Sequence, residues 1–232
     1  MSVIKVGGVE KFSAVDFPAK LTAVVFMQGC PWKCPFCHNA SIRDLSKEND
    51  FSWDLWMSFL RSRVGKLDAV TFSGGEPLMQ DCLEDAIRQV KSLGYEIGLH
   101  TGGYHPKHLK KVLPLVNWVG LDVKAPFVEE KYQNIIGVNH LKNVQESLDI
   151  LLESRIDFEC RTTCDPRFLT SKDLLEIAKL LQAKGVKKYF FQKYRPIESD
   201  KLTTDSDCEN IFSDNELKEY CKNNFEQFEI RR

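Results

Sequence analysis

Short apolar runs alternate with amphipathic segments along most of this chain, and this rhythm constrains the fold more than any other feature. The runs are rich in β-branched and aromatic residues, and we interpret them as six strands at residues 21–29, 67–75, 95–103, 117–126, 156–164 and 187–194. Because strands that alternate with helices form a parallel sheet, the sequence predicts an α/β fold. Six repeats are too few for a closed eightfold barrel, so an open six-strand barrel and a doubly wound sheet both remain.

The segments between these runs have the ends that helices usually have. Ser52 and Asn139 are expected as N-caps, and Gly94 and Gly185 follow the last residues of two further helices. Pro114 is expected to end another helix, because its ring cannot occupy a helix interior without breaking it.

The polar segment from Ser199 onward breaks the rhythm and is expected to form mostly a loop. Ser213 and Glu216 match a capping box at the start of one more helix, and the final EQFEIRR suggests a last edge strand. We therefore predict a core domain of residues 1–198 and a C-terminal extension of residues 199–232 that packs on it.

Composition excludes several classes of protein. The chain has 232 residues and a net charge of −1, which is not typical of a nucleic-acid-binding or membrane-surface protein. No apolar run at the N-terminus indicates a signal peptide, and no stretch approaches the ~20 apolar residues of a membrane span. We expect a cytoplasmic protein with no nucleic-acid or membrane partner.

Three of the eight cysteines, Cys30, Cys34 and Cys37, lie in a short loop that Pro31 and Pro35 keep out of regular structure. In a chain of this size without an export signal, such a cluster indicates metal binding or redox chemistry rather than disulfides. A structural zinc or an ordinary iron–sulfur cluster takes four protein ligands, so one ligand is missing.

Two interpretations of the missing ligand remain open. His38 would close a zinc site, although it is adjacent to Cys37 and lacks the usual ligand spacing. Alternatively, the three cysteines hold an iron–sulfur cluster in which three irons are bound by thiolates and one iron is open to another ligand. The remaining cysteines lack the spacing of a second metal site and are expected to be small buried residues; they are Cys82, Cys160, Cys164, Cys208 and Cys221.

Residues with binding chemistry stand at or near the carboxyl ends of all six predicted strands, where ligands bind in parallel α/β folds. They are Cys30, residues 73–77, residues 101–103, residues 122–124, Arg161 and Arg195. A single site would collect them.

The spacing C-x3-C-x2-C resembles that of the radical S-adenosylmethionine (SAM) enzymes. The resemblance implies a partial (β/α)6 barrel in which Cys30, Cys34 and Cys37 hold one [4Fe–4S] cluster, while SAM chelates the open iron. It also implies that Phe36 packs near the adenine of SAM and that His38 belongs to the SAM site.

Further segments are similar to motifs of the same family. TFSGGEP resembles its Gly-Gly-Glu-Pro motif, in which Gly74 and Gly75 allow close approach of the backbone to a ligand and Glu76 offers a carboxylate to an amine. LDVKAP and CRTTCDP resemble segments that line the SAM site. The resemblance thus assigns SAM contacts to Thr101, Asp122, Lys124, Arg161 and Arg195 as well. Each motif also has a simpler interpretation, as a glycine-rich turn, a solvated pair or a structural ion pair.

The stretch FSAVDFPAKLTAVVFMQGCPWKCPFCHN resembles the start of activating enzymes for glycyl radical proteins. It is most similar to long-form activating proteins of anaerobic (class III) ribonucleoside-triphosphate reductase. Its similarity to the activating enzymes of pyruvate formate-lyase ranks second. The resemblance implies reductive cleavage of SAM to a 5′-deoxyadenosyl radical, which takes a Cα hydrogen from a glycine of the partner. It implies the reductase as partner and flavodoxin or ferredoxin as electron donor.

Three departures from the family pattern count against a pyruvate formate-lyase partner and leave the core chemistry unaffected. Pro18-Ala19 stands where the family commonly has Pro-Gly. His100 replaces an aspartate that helps to bind a monovalent cation, and Arg195 takes the place of a histidine near the sixth strand that contacts SAM in those enzymes.

Two other classes of function remain. One is a radical SAM enzyme that acts on a small molecule, and the other is a non-catalytic zinc or iron–sulfur module. Metal analysis separates a zinc module from the enzyme, because the module contains one zinc whereas a [4Fe–4S] protein contains iron and sulfide.

Overall fold

A computed structural model describes residues 4–47 and 51–231. The described residues group into two compact units. The first takes in the residues up to Pro31, with Asn39–Gly120 and Asn143–Asp157, and the second takes in Trp32–His38, Leu121–Lys142 and the chain from Phe158 onward.

The strands of the first unit form a mostly parallel arrangement. They are β1 (Val6–Ser13), β2 (Thr22–Met27), β3 (Ala69–Gly74), β4 (Glu96–Thr101) and the start of β5 (Trp118–Asp122). β1 runs antiparallel to β2, whereas β2 pairs with β3 and β3 pairs with β4 in parallel. Val24, Val25 and Val70 are fully buried, as expected for apolar runs that form central parallel strands.

The helices of the first unit begin and end largely as predicted. They are α1 (Trp53–Arg63), α2 (Leu83–Lys91), α3 (Pro106–Val112) and most of α5 (Leu141–Glu153). Ser52 caps α1 by accepting a hydrogen bond from the backbone N–H of Leu55. Gly94 has a positive φ of 93° after α2, and Pro114 lies in a short 3-10 turn that follows α3.

The second unit contains the other elements, and its strands are parallel. In chain order they are α4 (Glu129–Ile136), β6 (Asp157–Cys164), α6 (Ser171–Ala183), β7 (Lys188–Lys193), α7 (Asp205–Asn210), α8 (Asn215–Asn224) and β8 (Gln227–Arg231). β6 pairs with β7, and β7 pairs with β8. The predicted α/β class with a mostly parallel sheet is therefore confirmed.

Side-chain contacts attach the C-terminal segment to β6 and β7. The Arg231 guanidinium lies 3.6 Å from the ring centre of Phe190 and donates to the buried carboxylate of Glu159, with an Nη2–Oε2 distance of 2.9 Å. Arg232, the last residue of the predicted edge strand, lies outside the described residues. The division into residues 1–198 and 199–232 stays a prediction.

Four sequence predictions need correction. β1 was missed because only two of its eight residues are buried and because it contains Gly7 and Gly8, which are unfavourable in strands. α4 was not predicted, and α7 forms where a loop was expected, because Thr204 and Asp207 build a capping box there. α8 is capped by Asp214 rather than by the preceding serine, since the Asp214 carboxylate accepts the hydrogen bond from the helix N-terminus.

No helix among the described residues is both long enough and apolar enough to cross a membrane.

Candidate functional site

In the first unit, Cys30 is held by backbone contacts just beyond the carboxyl end of β2. The N–H of Gly29 donates to the carbonyl of Ile42 at 2.8 Å, and the N–H of Cys30 donates to that of Arg43 at 3.0 Å. Gly29 has a positive φ of 96°, a conformation that glycine adopts without a steric penalty. The path of the chain into the cysteine loop is thus fixed by main-chain hydrogen bonds.

The two glycines after β3 lie against this same segment. Gly75 N–H donates to the carbonyl of Met27 at 2.9 Å, and Glu76 N–H donates to that of Gly29 at 2.8 Å. A Cβ on Gly75 would lie 2.1 Å from the Gly29 oxygen and 3.3 Å from the Cβ of Cys30. These glycines therefore allow a close approach to the backbone that carries Cys30, and their predicted approach to a ligand stays a prediction.

Glu76 joins the ends of β3 and β4. Its carboxylate is buried and accepts hydrogen bonds from Leu78 N–H at 3.1 Å, the Thr101 hydroxyl at 2.6 Å and Gly102 N–H at 2.8 Å. Thr101 in turn accepts a hydrogen bond from Gly103 N–H at 2.9 Å. The structure therefore brings Glu76 and Thr101 into direct contact, as their strand-end positions predicted.

His100 holds the turn between β1 and β2. Its Nε2 lies 2.9 Å from the backbone carbonyl of Asp16 and donates to it, and its Nδ1 lies 3.3 Å from the Ser73 hydroxyl. The same turn contains Ala19, whose φ of 56° is the one positive value among the described non-glycine residues.

In the second unit, the remaining part of the cysteine loop is mostly buried. Cys34 is 8% exposed, Cys37 is half-buried, and Cys37 N–H donates to the carbonyl of Cys34 at 3.3 Å. Phe36 is buried, whereas His38 is exposed. None of the three cysteines of the motif forms a disulfide.

Three predicted charged residues of the second unit form one cluster. Oδ1 of Asp122 accepts from Nε of Arg161 at 2.9 Å and from its Nη2 at 2.8 Å, and Oδ2 lies 3.3 Å from Nζ of Lys124. The Arg161 side chain is 7% exposed. Charge-assisted hydrogen bonds of this kind fix the geometry of the cluster.

Lys124 places a positive charge in the surroundings of Cys34. Its Nζ lies 5.8 Å from the ring centre of Trp32 and 5.8 Å from that of Phe36, a distance that permits cation–π attraction. Burial acts to lower the pKa of Lys124, but the Asp122 carboxylate raises it above its usual value. Burial raises the pKa of the Cys34 thiol, and the Lys124 charge opposes this shift.

Arg195 is exposed just beyond the carboxyl end of β7. The sequence did not reveal the neighbouring ion-pair network, in which the Arg167 guanidinium contacts Asp165 at 2.6 Å and Asp200 at 2.9 Å. The hydroxyl of Tyr194 donates to Asp200 at 2.9 Å. The network joins two separate segments of the chain, because Arg167 and Tyr194 lie 27 positions apart, and no motif in the sequence pairs these segments.

The five cysteines outside the motif are all buried, as predicted; they are Cys82, Cys160, Cys164, Cys208 and Cys221. Burial raises the pKa of the Cys160 and Cys164 thiols, so these groups are protonated and inert at neutral pH.

Comparison with known proteins identifies relatives of the whole region from β2 to α6. Residues 24–181 match the family model described as the Radical SAM superfamily. A Methanocaldococcus jannaschii protein, whose name provisionally assigns it as a glycyl-radical enzyme activating enzyme, is 31% identical over 204 residues, which cover 82% of this chain and 80% of that protein. The pyruvate formate-lyase-activating enzyme of Clostridium pasteurianum is 30% identical over 125 residues, and the match spans 52% of each chain.

Solved structures show the same fold. The SAM-bound structure of SuiB from Streptococcus suis superposes with a TM-score of 0.67 at 14% sequence identity. The match covers 88% of this chain and 48% of SuiB, so this chain spans about half the length of that protein. At this level of identity, the likeness concerns the fold alone.

Proposed function

This chain belongs to the radical SAM superfamily, and we propose that it is an activating enzyme that generates a glycyl radical on a partner protein. The relatives described above, an archaeal protein assigned to glycyl-radical enzyme activation and a clostridial pyruvate formate-lyase-activating enzyme, support the proposal. The observation that carries it to this site is the position of Cys34. This residue is buried, its thiol lies in the electrostatic field of Lys124, and it belongs to a motif of three cysteines of which none forms a disulfide.

The superfamily uses one [4Fe–4S] cluster held by three cysteines, together with SAM, and the residues present fit these groups. Cys30, Cys34 and Cys37 would supply the three thiolates, which are the usual ligands of iron–sulfur clusters. The described residues contain no group of three or more His, Cys, Asp or Glu side chains already arranged to hold a metal ion. The assignment therefore rests on the chemistry of the thiols, on their spacing and on the family.

When bound, the cluster and SAM supply a 5′-deoxyadenosyl radical that removes a hydrogen atom from a glycine of the partner. The contribution of the protein is binding, orientation and electrostatics. In the second unit, the Lys124 charge opposes the rise in the pKa of Cys34 and so would favour the thiolate that a cluster ligand must be, and Asp122 holds Lys124 in place. Arg161, oriented by the same carboxylate, offers a positive charge to the SAM carboxylate.

In the first unit, Glu76 offers its carboxylate to the SAM amino group and at the same time orients Thr101 and Gly102. Phe36, His38, Gly74, Gly75 and Arg195 complete the proposed SAM contacts.

The partner that we propose is an anaerobic ribonucleoside-triphosphate reductase, with flavodoxin or ferredoxin as the electron donor. The resemblance of the N-terminal stretch and the presence of His100 in place of an aspartate support this choice. A pyruvate formate-lyase-type protein is the second candidate, because the name of the clostridial relative favours it. Incubation of the reconstituted enzyme and SAM with each purified partner distinguishes the two, because a glycyl radical should form on the true partner.

The variant Cys34→Ala tests the cluster assignment. We expect the anaerobically reconstituted wild-type protein to bind about four iron and four sulfide per chain and to cleave SAM. Cys34→Ala should lose the visible absorbance of the cluster and all SAM cleavage. Cys82→Ala, which removes a buried thiol outside the motif, is the matched control and should keep both. Retention of a complete cluster and of SAM cleavage in Cys34→Ala would refute the assignment.

A further inference from the structure

Trp32, two residues before Cys34, makes a specific polar contact from a buried position. Its indole is 2% exposed, and Nε1–H donates to Nδ1 of His140 at 3.1 Å. Two other buried indoles, those of Trp56 and Trp118, have no hydrogen-bond partner for Nε1 in the part of the chain that the structure describes. Of these three indoles, that of Trp32 is the one whose Nε1 has an acceptor among the described residues.

The next residue of the loop is held by the same region of the chain. Lys33 N–H donates to the carbonyl of Ile136, the last residue of α4, at 2.9 Å. Gly137 then adopts a left-handed conformation with φ of 81°, and a Cβ at this position would lie 3.4 Å from the Cβ of Lys33. The turn after α4 consequently fits closely against the residues between the first two cysteines.

These two contacts determine where Cys34 lies. Cys34 directly follows Lys33, is 8% exposed, and accepts the backbone hydrogen bond from Cys37 that closes the next turn of the loop. Loss of the hydrogen bond at Trp32 would remove one of these two contacts. The position of Cys34 would then be less well defined.

We propose that His140 is a positioning residue of the cysteine loop: by accepting the indole hydrogen bond of Trp32, it fixes the segment that carries Cys34. The proposal rests on the proposed function, because it concerns the loop that would hold the cluster. His140 acts through Trp32 and is not assigned as a ligand. An imidazole that accepts at Nδ1 carries no proton there, and burial lowers the pKa of His140, which favours the neutral ring.

Alkylation of the apoprotein tests this inference without any cofactor. In His140→Leu, which keeps bulk but removes the acceptor, Cys34 should react with iodoacetamide about 5-fold faster than in the wild type, as expected for loss of one hydrogen bond. Trp32→Phe should have the same effect, and the double variant should not exceed either single variant. His140→Asn, whose side-chain oxygen can take the place of Nδ1, should restore slow alkylation. Cys82, buried in the first unit, is the internal control.

A second measurement uses the reconstituted protein. Release of iron to a chelator should be about 10-fold faster in His140→Leu than in the wild type, the range typical for loss of a residue that orients a metal ligand. Unchanged rates for Cys34 alkylation and iron release in His140→Leu would refute the proposal. Equal acceleration at Cys34 and Cys82 would also refute it, since that result indicates general loosening of the fold. The proposed function is tested separately, by measuring the iron content and SAM cleavage of the wild type before any variant is compared with it.

Discussion

Gly75 and Gly29 contact each other so closely that a Cβ on Gly75 would lie 2.1 Å from the Gly29 carbonyl oxygen. Glu76, the next residue, donates its backbone N–H to the same oxygen. The Gly-Gly-Glu segment after β3 and the segment that leads to Cys30 thus form a single backbone junction. This contact gives a physical reason for glycine at position 75 that does not depend on a ligand.

Gly75→Ala should destabilise the protein strongly, because backbone rather than a flexible side chain occupies the space of the added methyl group. We expect the free energy of unfolding to fall by about 2–3 kcal/mol, measured by urea denaturation of the apoprotein. Gly8→Ala is the matched control, since its Cβ would meet no atom within 4 Å. Equal stability of Gly75→Ala and wild type would show that the junction is absent in solution.

Glu76→Gln should weaken SAM binding while cluster content is retained. The substitution keeps the shape of the side chain but removes its charge, and a hydrogen bond to a charged group contributes about 1.5–3 kcal/mol, so affinity should fall by about 10-fold or more. Equilibrium dialysis of the reconstituted protein under anaerobic conditions measures this. Glu84→Gln, on α2, is the control and should bind SAM as the wild type does. If Glu76→Gln also binds SAM normally, Glu76 serves only to orient Thr101 and Gly102.

Ala19→Gly should stabilise the protein. Ala19 has φ of 56°, and the left-handed region costs a residue with a Cβ roughly 1–2 kcal/mol. Glycine loses more conformational entropy on folding than alanine does, and this offsets part of the benefit. We therefore expect the free energy of unfolding to rise by about 0.5–1 kcal/mol. Thermal unfolding measures the gain. Ala183→Gly, at the end of α6, should instead lower stability. A loss of stability in Ala19→Gly would mean that the turn has a different conformation.

Asp200 should make stability depend on acid pH. Burial acts to raise its pKa, but hydrogen bonds from Thr203 and Tyr194 outweigh it and lower the pKa from the usual 3.8 to about 2. A lowered folded-state pKa stabilises the protein above the unfolded value, and this stability is lost as pH falls from about 4 towards 2. The difference in urea midpoint between wild type and Asp200→Asn should therefore narrow as pH is lowered from about 6 to 3. A difference in urea midpoint that stays constant between about pH 6 and 3 would contradict the lowered pKa of Asp200.

The sequence predicted the parts of the molecule that depend on local pattern. The apolar runs located β2 to β7, because a buried parallel strand needs little more than a continuous run of branched residues. Strand ends placed Glu76 beside Thr101 and Asp122 beside Arg161, since residues at adjacent carboxyl ends meet. The glycine motif was recognised, although its close contact is with the chain itself.

Contacts between distant segments were not predictable in the same way. Trp32 and His140 are separated by 108 positions, and nothing in the sequence near either residue specifies the other. β1 was missed because an exposed edge strand has little apolar pattern, and its two glycines are unfavourable in strands. The network of Arg167 and Asp200 likewise depends on how the chain folds back after β7.

The central claim is that this chain makes a glycyl radical on a partner protein, and electron paramagnetic resonance tests it most directly. The reconstituted, reduced protein is incubated anaerobically with SAM and the anaerobic ribonucleotide reductase of the same organism. The account predicts a doublet from coupling of the unpaired electron to the remaining glycine α-hydrogen, and no doublet with Cys34→Ala. A glycyl signal on a pyruvate formate-lyase-type protein, with none on the reductase, would support the proposed activity but refute the reductase as partner. Absence of SAM cleavage and of any radical with either partner would contradict the account.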